Sequence, residues 1–442
     1  MQNHFNMADL RSIRFQVFIF LLAIAIVLYF AYTFQFFTIN HTQFSSRVLR
    51  PSFFKAPNIS QPTVTSPCKN SQDFFQTITT FDWKSVDNDA ALATRSFINS
   101  IMPWLTMPPL ESVAEECQPM QLPPAHCPYG WTALDQPRKI IHSVKFAFEA
   151  DTLEIHLNEI GPLVDYFVIT ESIVSHQQLL QKPLLWERIK SQARFQQFLP
   201  KILHFVLDDS DVVSISNEKW ASEFYQERIR WLKLRQWNEQ KAFLEDNDLI
   251  GFGDADEIAS QNTIHILRHC DFPHNTVDVG IWFPYGRLNT AFRTDFPLRQ
   301  YPYTLGNPTF WKYKSAIQST KTPSYLRGQS RSYILGGMHL TEYQYLPVYL
   351  AKSITGTEMS LLSRDDMERW TNKTFSELLP IIDRKRTSQF ADARIIELSD
   401  LFNINPEYRK VVQVPYLLSC NPKRYPAWHV KEDSRYYKKI CI

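Results

Sequence analysis

The chain has 442 residues, of which 44% are hydrophobic, so it can bury a large core and still carry further segments. Its 47 lysines and arginines nearly balance 45 aspartates and glutamates, which leaves a net charge of +2. Proteins that grip a phosphate backbone concentrate a basic excess on one surface. The balance of charge therefore excludes nucleic acid as a predicted partner.

A long apolar run lies near the N-terminus. Phe15–Ile39 contains no charged side chain, and as a helix it would span about 37 Å, enough to cross a bilayer. A cleaved signal peptide has a shorter apolar stretch and a small-residue cleavage site, and neither is evident here. We predict a cytoplasmic tail over residues 1–14, a transmembrane signal anchor over residues 15–39, and attachment to a membrane as a single-pass type II protein.

Cysteines and glycosylation sequons place the part after the anchor in the lumen of the secretory pathway. None of the six cysteines forms a C-x-x-C pair, which argues against a structural zinc site. Their even number suits disulfides, with the pairing left open and buried free thiols as the alternative. The sequons at Asn58 and Asn372 suit the same compartment.

Residues 40–136 are rich in proline, which predicts a stem without long helices. The stem also contains Phe81, Trp83, Phe97 and Trp104. A disordered tail has no need for such residues, so we expect part of the stem to pack onto the domain that follows, residues 137–442.

Strand and helix patterns alternate after residue 137. Strands are predicted at Lys139–Phe148, Val164–Thr170, Ile202–Leu207 and Leu249–Gly253, and helical patterns at Leu153–Ile160 and Trp220–Leu244. This alternation favours an α/β fold with a mostly parallel sheet.

Acidic residues follow three of the predicted strands. Glu171 follows the second strand, Asp208 and Asp209 the third, and Asp254-Ala255-Asp256-Glu257 the fourth. Parallel sheets bind ligands at the carboxyl ends of their strands. Two aspartates one residue apart can bind Mg²⁺ or Mn²⁺ together with a diphosphate, although a D-x-D sequence also occurs by chance on surfaces. We predict that Asp254 and Asp256 bind a metal.

Two blocks of the sequence resemble glycosyltransferase family 17. The first is Lys145–Ser172, with Lys182-Pro183-Leu184 after it, and the second is Asp248–Ile258. Gly337–Thr341 is similar to a third family block, with Met338 and Thr341 as substitutions. The positions that match in the first two blocks are Phe146, Glu149, Asp151, Leu153, Glu159, Asp165, Phe167, Val168, Glu171, Ser172, Asp254, Asp256, Glu257 and Ile258.

The resemblance implies a GT-A-like catalytic domain over residues 137–442, in an enzyme of the Golgi membrane. Such an enzyme would transfer N-acetylglucosamine with inversion, from UDP-GlcNAc to a β-linked mannose of glycoprotein N-glycans, with Mn²⁺ or Mg²⁺ as cofactor. Ala147 and His156 depart from the family pattern, as does Met338, and we expect these departures to affect the choice of acceptor.

The resemblance also suggests roles for individual residues. Glu149, Asp151, Glu154, Asp254 and His339 are predicted to bind the nucleotide donor and its metal. Glu149, Asp151 and Glu154 have a second explanation, since acidic residues stabilise the first turn of a helix. Gly336-Gly337 is expected to let backbone approach the ligand beside His339.

The catalytic candidates are Glu257, Glu171 and Asp209. Glu257 either positions the sugar or the ribose of the donor, or caps the next helix. Glu171 and Asp209 are candidate bases because each follows a strand end, and inversion needs a base near the acceptor hydroxyl. Two other functions remain open: a transferase with a different donor or acceptor, and a catalytically silent lumenal glycan-binding protein.

Overall fold

The computed structural model describes most of the chain after residue 66. The described ranges are 67–83, 90–109, 111–115, 117–119, 121–176, 181–208, 221–285, 288–295, 297–341, 345–355, 368–374, 376–378, 380–381 and 395–429. The predicted tail and anchor, residues 1–39, lie outside these ranges. Within the ranges, none of the helices has both the length and the apolar character that a bilayer crossing needs.

Thirteen strands occur in the described residues. They are β1 Thr132–Ala133, β2 Ile140–Lys145, β3 Tyr166–Ser172, β4 Ile202–Leu207, β5 Leu249–Asp254, β6 Glu257–Ala259, β7 Cys270–Asp271, β8 Thr276–Trp282, β9 Thr290–Phe292, β10 Pro297–Leu298, β11 Tyr301–Lys312, β12 Ser332–His339 and β13 Ile395–Glu397.

The same ranges contain thirteen α-helices and two 3₁₀ turns, Leu199–Lys201 and Pro323–Leu326. The helices are α1 Pro67–Thr80, α2 Ala90–Thr106, α3 Ala150–Ile160, α4 Trp186–Ile189, α5 Ala193–Gln196, α6 Ala221–Lys241, α7 Gln261–His269, α8 Tyr313–Gln318, α9 Leu346–Thr355, α10 Leu398–Ile404, α11 Tyr408–Val411, α12 Tyr416–Cys420 and α13 Pro426–His429.

A nine-stranded sheet organises the domain. Its order is β4-β3-β2-β5-β11-β8-β12-β6, with β10 paired to β11. The strands β4, β3, β2 and β5 are parallel to one another. Beyond β5 only the β8–β12 pair is parallel, whereas β11 runs antiparallel to β5, β8 and β10, and β6 runs antiparallel to β12.

The sheet is therefore mixed, and the prediction of a mostly parallel sheet holds only for its first half. The α/β class is confirmed, and so is each strand or helix predicted between residues 139 and 254, with small shifts at the ends. The antiparallel strands β6, β8, β11 and β12 come after the last element that we predicted from the sequence.

The chain reverses its direction of growth across the sheet between β2 and β5. It adds β3 and then β4 on one side of β2, and then places β5 on the other side. Open α/β sheets bind ligands in the crevice at such a switch point, outside the carboxyl ends of the strands. Lys145 at the end of β2 is paired in register with Asp254 at the end of β5.

The segment that we predicted as a stem packs on the domain that follows it, as expected. Phe97 is fully buried and its ring stacks on Trp83, with centroids 4.9 Å apart. The carbonyl of Trp104 accepts a hydrogen bond from the hydroxyl of Tyr345 at 2.8 Å.

The expectation that the prolines exclude long helices from this segment is wrong for α1 and α2. Pro67 is the first residue of α1, where a missing N–H costs nothing. Pro103 lies in the last turn of the 17-residue helix α2. The proline density was therefore a weak guide, because these two prolines stand close to helix ends.

Two disulfides tie the same segment to the rest of the fold. Cys117 is bonded to Cys420 and Cys127 to Cys270, across 303 and 143 residues respectively. For these four cysteines disulfides are confirmed over the alternative of free thiols. Such long cross-links reduce the conformational freedom of the unfolded chain.

Candidate active site

The acidic loop, which we define as Asp254–Glu257, connects β5 to β6 at the switch point. Its backbone is held from two sides. The N–H of Ala255 donates to the carbonyl of Lys145 at 3.0 Å, and the N–H of Leu340 donates to the carbonyl of Asp256 at 2.7 Å. The loop is therefore fixed between the end of β2 and the end of β12.

Asp254 lies among basic side chains and is 31% exposed. Its Oδ1 is 3.4 Å from Lys145 Nζ, and its Oδ2 is 3.3 Å from an Arg327 nitrogen. Although burial opposes ionisation, Arg327 and Lys145 lower the pKa of Asp254. Its Oδ1 is nevertheless buried and accepts no hydrogen bond, so this atom retains capacity for a ligand.

Asp256 is more deeply buried, with a side chain 9% exposed. Its Oδ2 is 2.9 Å from Lys352 Nζ and 3.6 Å from His339 Nε2. Burial opposes ionisation here as well, but Lys352 and His339 outweigh it and hold the pKa of Asp256 well below its usual range. Asp256 is therefore ionised.

Glu257 is buried, and other groups of the chain occupy both of its carboxylate oxygens. Oε1 accepts from Asn307 at 2.9 Å, while Oε2 accepts from the backbone N–H of Asp254 at 2.9 Å and from Arg327 at 3.0 Å. The suggestion that Glu257 caps the next helix is wrong, because Ser260 is the N-cap of α7. Glu257 instead braces the acidic loop.

The three acids predicted at the start of α3 separate into two groups. Glu149 Oε1 lies 2.5 Å from Lys352 Nζ, the ammonium that also contacts Asp256. Asp151 and Glu154 both pair with Arg194, and Glu154 pairs in addition with Arg424. Only Glu149 is therefore linked to the acidic loop by the contacts of the described residues.

Glu171 is fully buried, and its carboxylate bonds to groups that surround it in the fold. Its oxygens accept the backbone N–H groups of Leu185, at 2.7 Å, and Trp186, and one oxygen lies 3.0 Å from His204 Nε2. Successive strand side chains point to opposite faces. Because Thr170 is the residue paired with Lys145, and Lys145 is paired with Asp254, Glu171 faces away from Asp254. Asp209, the other candidate base, lies outside the described residues.

His339 ends β12 and is paired in register with Glu257. Burial alone would lower the pKa of His339, but the neighbouring carboxylates of Asp256 and Glu257 raise it. Its Nδ1 is buried and has no hydrogen-bond partner. The prediction that His339 belongs with Asp256 in one site is consistent with this geometry.

Gly336 and Gly337 do not provide space for a ligand, contrary to expectation. Both have left-handed backbone, with φ of 140° and 146°. A Cβ on Gly337 would lie 2.3 Å from the carbonyl oxygen of Ile258, and one on Gly336 would lie 2.7 Å from Thr263 Oγ1. These glycines allow β12 to pack tightly against β6 and α7.

The basic residues of the site, Lys145, Arg327 and Lys352, were not predicted from the sequence. Lys145 contacts Glu223 and Glu227 of α6, each at 3.0 Å, in addition to Asp254. Its place at a strand end was a signal that could have revealed it. Arg327 and Lys352 had no local signal, because each comes from a segment far along the chain.

No set of three or more His, Cys, Asp or Glu side chains in the described ranges has the arrangement of a metal site made by protein alone.

Residues 113–279 match the sequence model of glycosyltransferase family 17. This stretch, which is less than half of the chain, is similar to glycosyltransferase family 17. The match includes β2 to β5 and the acidic loop, whereas Arg327, His339 and Lys352 come after it in the chain. The resemblance found in the sequence is confirmed.

Curated relatives match a shorter stretch. The rat and human proteins named β-1,4-mannosyl-glycoprotein 4-β-N-acetylglucosaminyltransferase are each 24% identical over 136 residues, which is 30% of this chain. The match spans only 24% of the length of those relatives.

Among solved structures, 4-diphosphocytidyl-2C-methyl-D-erythritol synthase aligns with a TM-score of 0.28 and 12% identity, over 48% of this chain and 98% of that chain. A similarity of this size does not inform on function.

Proposed function

We propose that this glycosyltransferase moves N-acetylglucosamine from UDP-GlcNAc to a β-linked mannose of protein N-glycans, with inversion, in a GT-A-like domain. The observation that carries the proposal is the acidic loop at the switch point between β2 and β5, where α/β sheets bind nucleotides. The names of the rat and human relatives support the choice of sugar and acceptor.

The acidic loop suits a hard divalent cation, Mn²⁺ or Mg²⁺. Asp254 and Asp256 both have lowered pKa values, and Asp254 Oδ1 accepts no hydrogen bond. Mg²⁺ is usually bound by one or two carboxylates, while substrate phosphates and water complete its shell. Two aspartates are therefore enough to hold it, and the cation would offset the charge that develops on the departing diphosphate.

The basic residues of the site would also offset the negative charge of the diphosphate. Lys145, Arg327 and Lys352 lie within 3.4 Å of carboxylates of the acidic loop. They lower the pKa values of Asp254 and Asp256 and so keep them ionised, and their charge remains beside the position of the leaving group. Preorganised charge of this kind is a main source of rate enhancement in enzymes.

We assign no catalytic base among the described residues. Glu171 is occupied by backbone N–H groups. Asp209 lies outside the described residues and stays a prediction, which rests on its position in the sequence two residues after β4.

We further propose that the protein is anchored in the Golgi membrane with its catalytic domain in the lumen. The uncharged run Phe15–Ile39 supports the anchor. The Cys117–Cys420 and Cys127–Cys270 disulfides support an oxidising compartment.

A donor screen with the full chain in mild detergent tests the proposal. UDP-GlcNAc, UDP-galactose, UDP-glucose and GDP-mannose are each supplied with an N-glycan acceptor, with Mn²⁺ or with a chelator. We expect Mn²⁺-dependent release of UDP from UDP-GlcNAc only. The matched control is Asp246→Asn, a surface aspartate paired with Lys314, which should retain wild-type activity.

Other outcomes of the screen identify the remaining functions. Preference for a different nucleotide sugar would refute the donor assignment and leave a transferase of another specificity. Absence of nucleotide-sugar binding in all conditions would refute the enzymatic proposal and favour a glycan-binding protein.

A further inference from the structure

The backbone of Ala255, the residue between the two aspartates, is hydrogen-bonded on both sides of its Cα atom. Its N–H donates to the carbonyl of Lys145 at 3.0 Å. Its carbonyl oxygen lies 2.8 Å from Nδ1 of His156 on α3. A carbonyl oxygen only accepts hydrogen bonds, so the proton of the His156 imidazole is on Nδ1.

His156 is enclosed and neutral. It is fully buried, and the rings of His142 and Phe167 lie 5.1 and 6.2 Å from its own. Its Nε2 has no hydrogen-bond partner. Burial lowers the pKa of His156 to about 4, although Ala255 and Asp256 oppose the shift. Within the described residues, the side chain of His156 therefore makes its hydrogen bond through Nδ1, to the carbonyl of Ala255.

One face of α3 is directed at the acidic loop. Glu149, Thr152 and His156 are spaced by three and four residues, which places them on the same side of the helix. Glu149 reaches Asp256 through Lys352, and Thr152 Oγ1 donates to the carbonyl of Leu340 at 3.4 Å. His156 is the member of this face that bonds directly to the loop.

We propose that His156 is a positioning residue that sets the separation of the Asp254 and Asp256 carboxylates. Rotation of the peptide group between Ala255 and Asp256 would move the side chains of Asp254 and Asp256 relative to each other. The bond from His156 prevents that rotation, and the buried site around it excludes competing water. Its link to cation and diphosphate binding rests on the proposed function.

His156 departs from the family pattern. From the sequence we expected this departure to affect the choice of acceptor. The structure places it beneath the acidic loop, where it contacts a backbone carbonyl and no exposed surface.

Three variants of the full chain separate positioning from general packing. His156→Leu removes the donor, whereas His156→Asn retains an N–H near the position of Nδ1. His142→Leu is the matched control, because His142 is equally buried but neither of its ring nitrogens has a hydrogen-bond partner.

The first readout is Mn²⁺ affinity in the presence of UDP, measured by electron paramagnetic resonance. We expect His156→Leu to weaken Mn²⁺ binding about tenfold, the size of one buried hydrogen bond. His156→Asn should remain within about threefold of wild type, and His142→Leu should lower the melting temperature without changing Mn²⁺ affinity. Equal losses in His156→Leu and His142→Leu, or no rescue by asparagine, would overturn the proposal.

The second readout needs no ligand and therefore stands if the proposed function fails. Hydrogen–deuterium exchange of the peptide that contains Ala255 should be faster in His156→Leu than in His156→Asn or His142→Leu. Unchanged exchange in His156→Leu would overturn the positioning role even if the protein binds Mn²⁺. If the wild type binds neither Mn²⁺ nor UDP, only the proposed function is refuted, and exchange still decides the role of His156.

Discussion

Helix α3 contributes to two clusters of buried acids that differ in how their charges are compensated. At the first, Asp151 and Glu154 meet Arg194 and Arg424, and both oxygens of Glu154 accept hydrogen bonds from these arginines. At the second, Glu149 is connected through Lys352 to the acidic loop, where an oxygen of Asp254 accepts no hydrogen bond.

The difference is the reason that we propose a ligand at the second cluster and not at the first. A buried carboxylate whose oxygens are all bonded contributes to the fold, and breaking its pair costs stability. A buried oxygen without a hydrogen bond is costly unless something else contacts it. Sequence position alone grouped Glu149, Asp151 and Glu154 together, and only the contacts separate them.

The largest expected effect is on catalysis at the acidic loop. Asp256→Asn should weaken the hold on the cation that offsets the developing charge, and so lower the rate of sugar transfer by about 10²–10³-fold. Steady-state kinetics with UDP-GlcNAc measures it. Asp151→Asn in the other cluster is the control, and a comparable loss there would remove the distinction between the two clusters.

The next effect is on stability at the cluster that serves the fold. Arg424→Met leaves Glu154 with one cation fewer, and the Arg424 side chain is only 8% exposed. We expect the free energy of unfolding to fall by about 3 kcal/mol, while activity per folded molecule stays unchanged. Denaturant titration and kinetics measure the two quantities, and a large loss of activity at full stability would contradict the assignment.

A smaller effect concerns Lys352, whose ammonium lies between Glu149 and Asp256. Without that internal cation, the two carboxylates attract an external one more strongly. Lys352→Met should therefore bind Mn²⁺ more tightly than wild type, by about tenfold, in the absence of nucleotide. Lys352→Arg keeps the charge and is the control, and weaker Mn²⁺ binding in Lys352→Met would contradict this account.

The smallest effect is a pH dependence of stability at Glu159. Burial raises the pKa of Glu159 to about 7, although the backbone N–H groups of Tyr416 and Gln261 oppose the shift. The folded protein then binds more protons than the unfolded chain between the ordinary carboxyl pKa and about 7. Over this window, stability from Glu159 falls as pH rises, by at most about 1.4 kcal/mol per pH unit.

Glu159→Gln tests this sign, because the amide does not titrate. Thermal unfolding between pH 5 and pH 7 should be less sensitive to pH in the variant than in wild type. A slope that is the same in both proteins would show that Glu159 does not titrate in this range.

The first half of the fold was predictable because its signals are local. Each strand from β2 to β5 is a short apolar run with a clear end, and Asp254 is the last residue of β5. The second half was not, since the pairings of β11 and β12 join residues that are distant in sequence. Local patterns do not specify such partners.

The site followed the same rule. The acids of the loop were found from sequence, but Arg327 and Lys352 reach it through tertiary packing. Glu171 was misplaced because a strand end does not reveal which face its side chain takes. His156 was noticed as a substitution, but its bond to Ala255 depends on how α3 lies against β5.

Calorimetric titration of UDP with Mn²⁺ into wild type, Asp256→Asn and Asp151→Asn tests the central claim most directly. The account predicts Mn²⁺-dependent UDP binding in wild type and in Asp151→Asn, and its loss in Asp256→Asn. Unchanged Mn²⁺-dependent binding in Asp256→Asn would contradict the claim that the acidic loop holds the cation and the diphosphate.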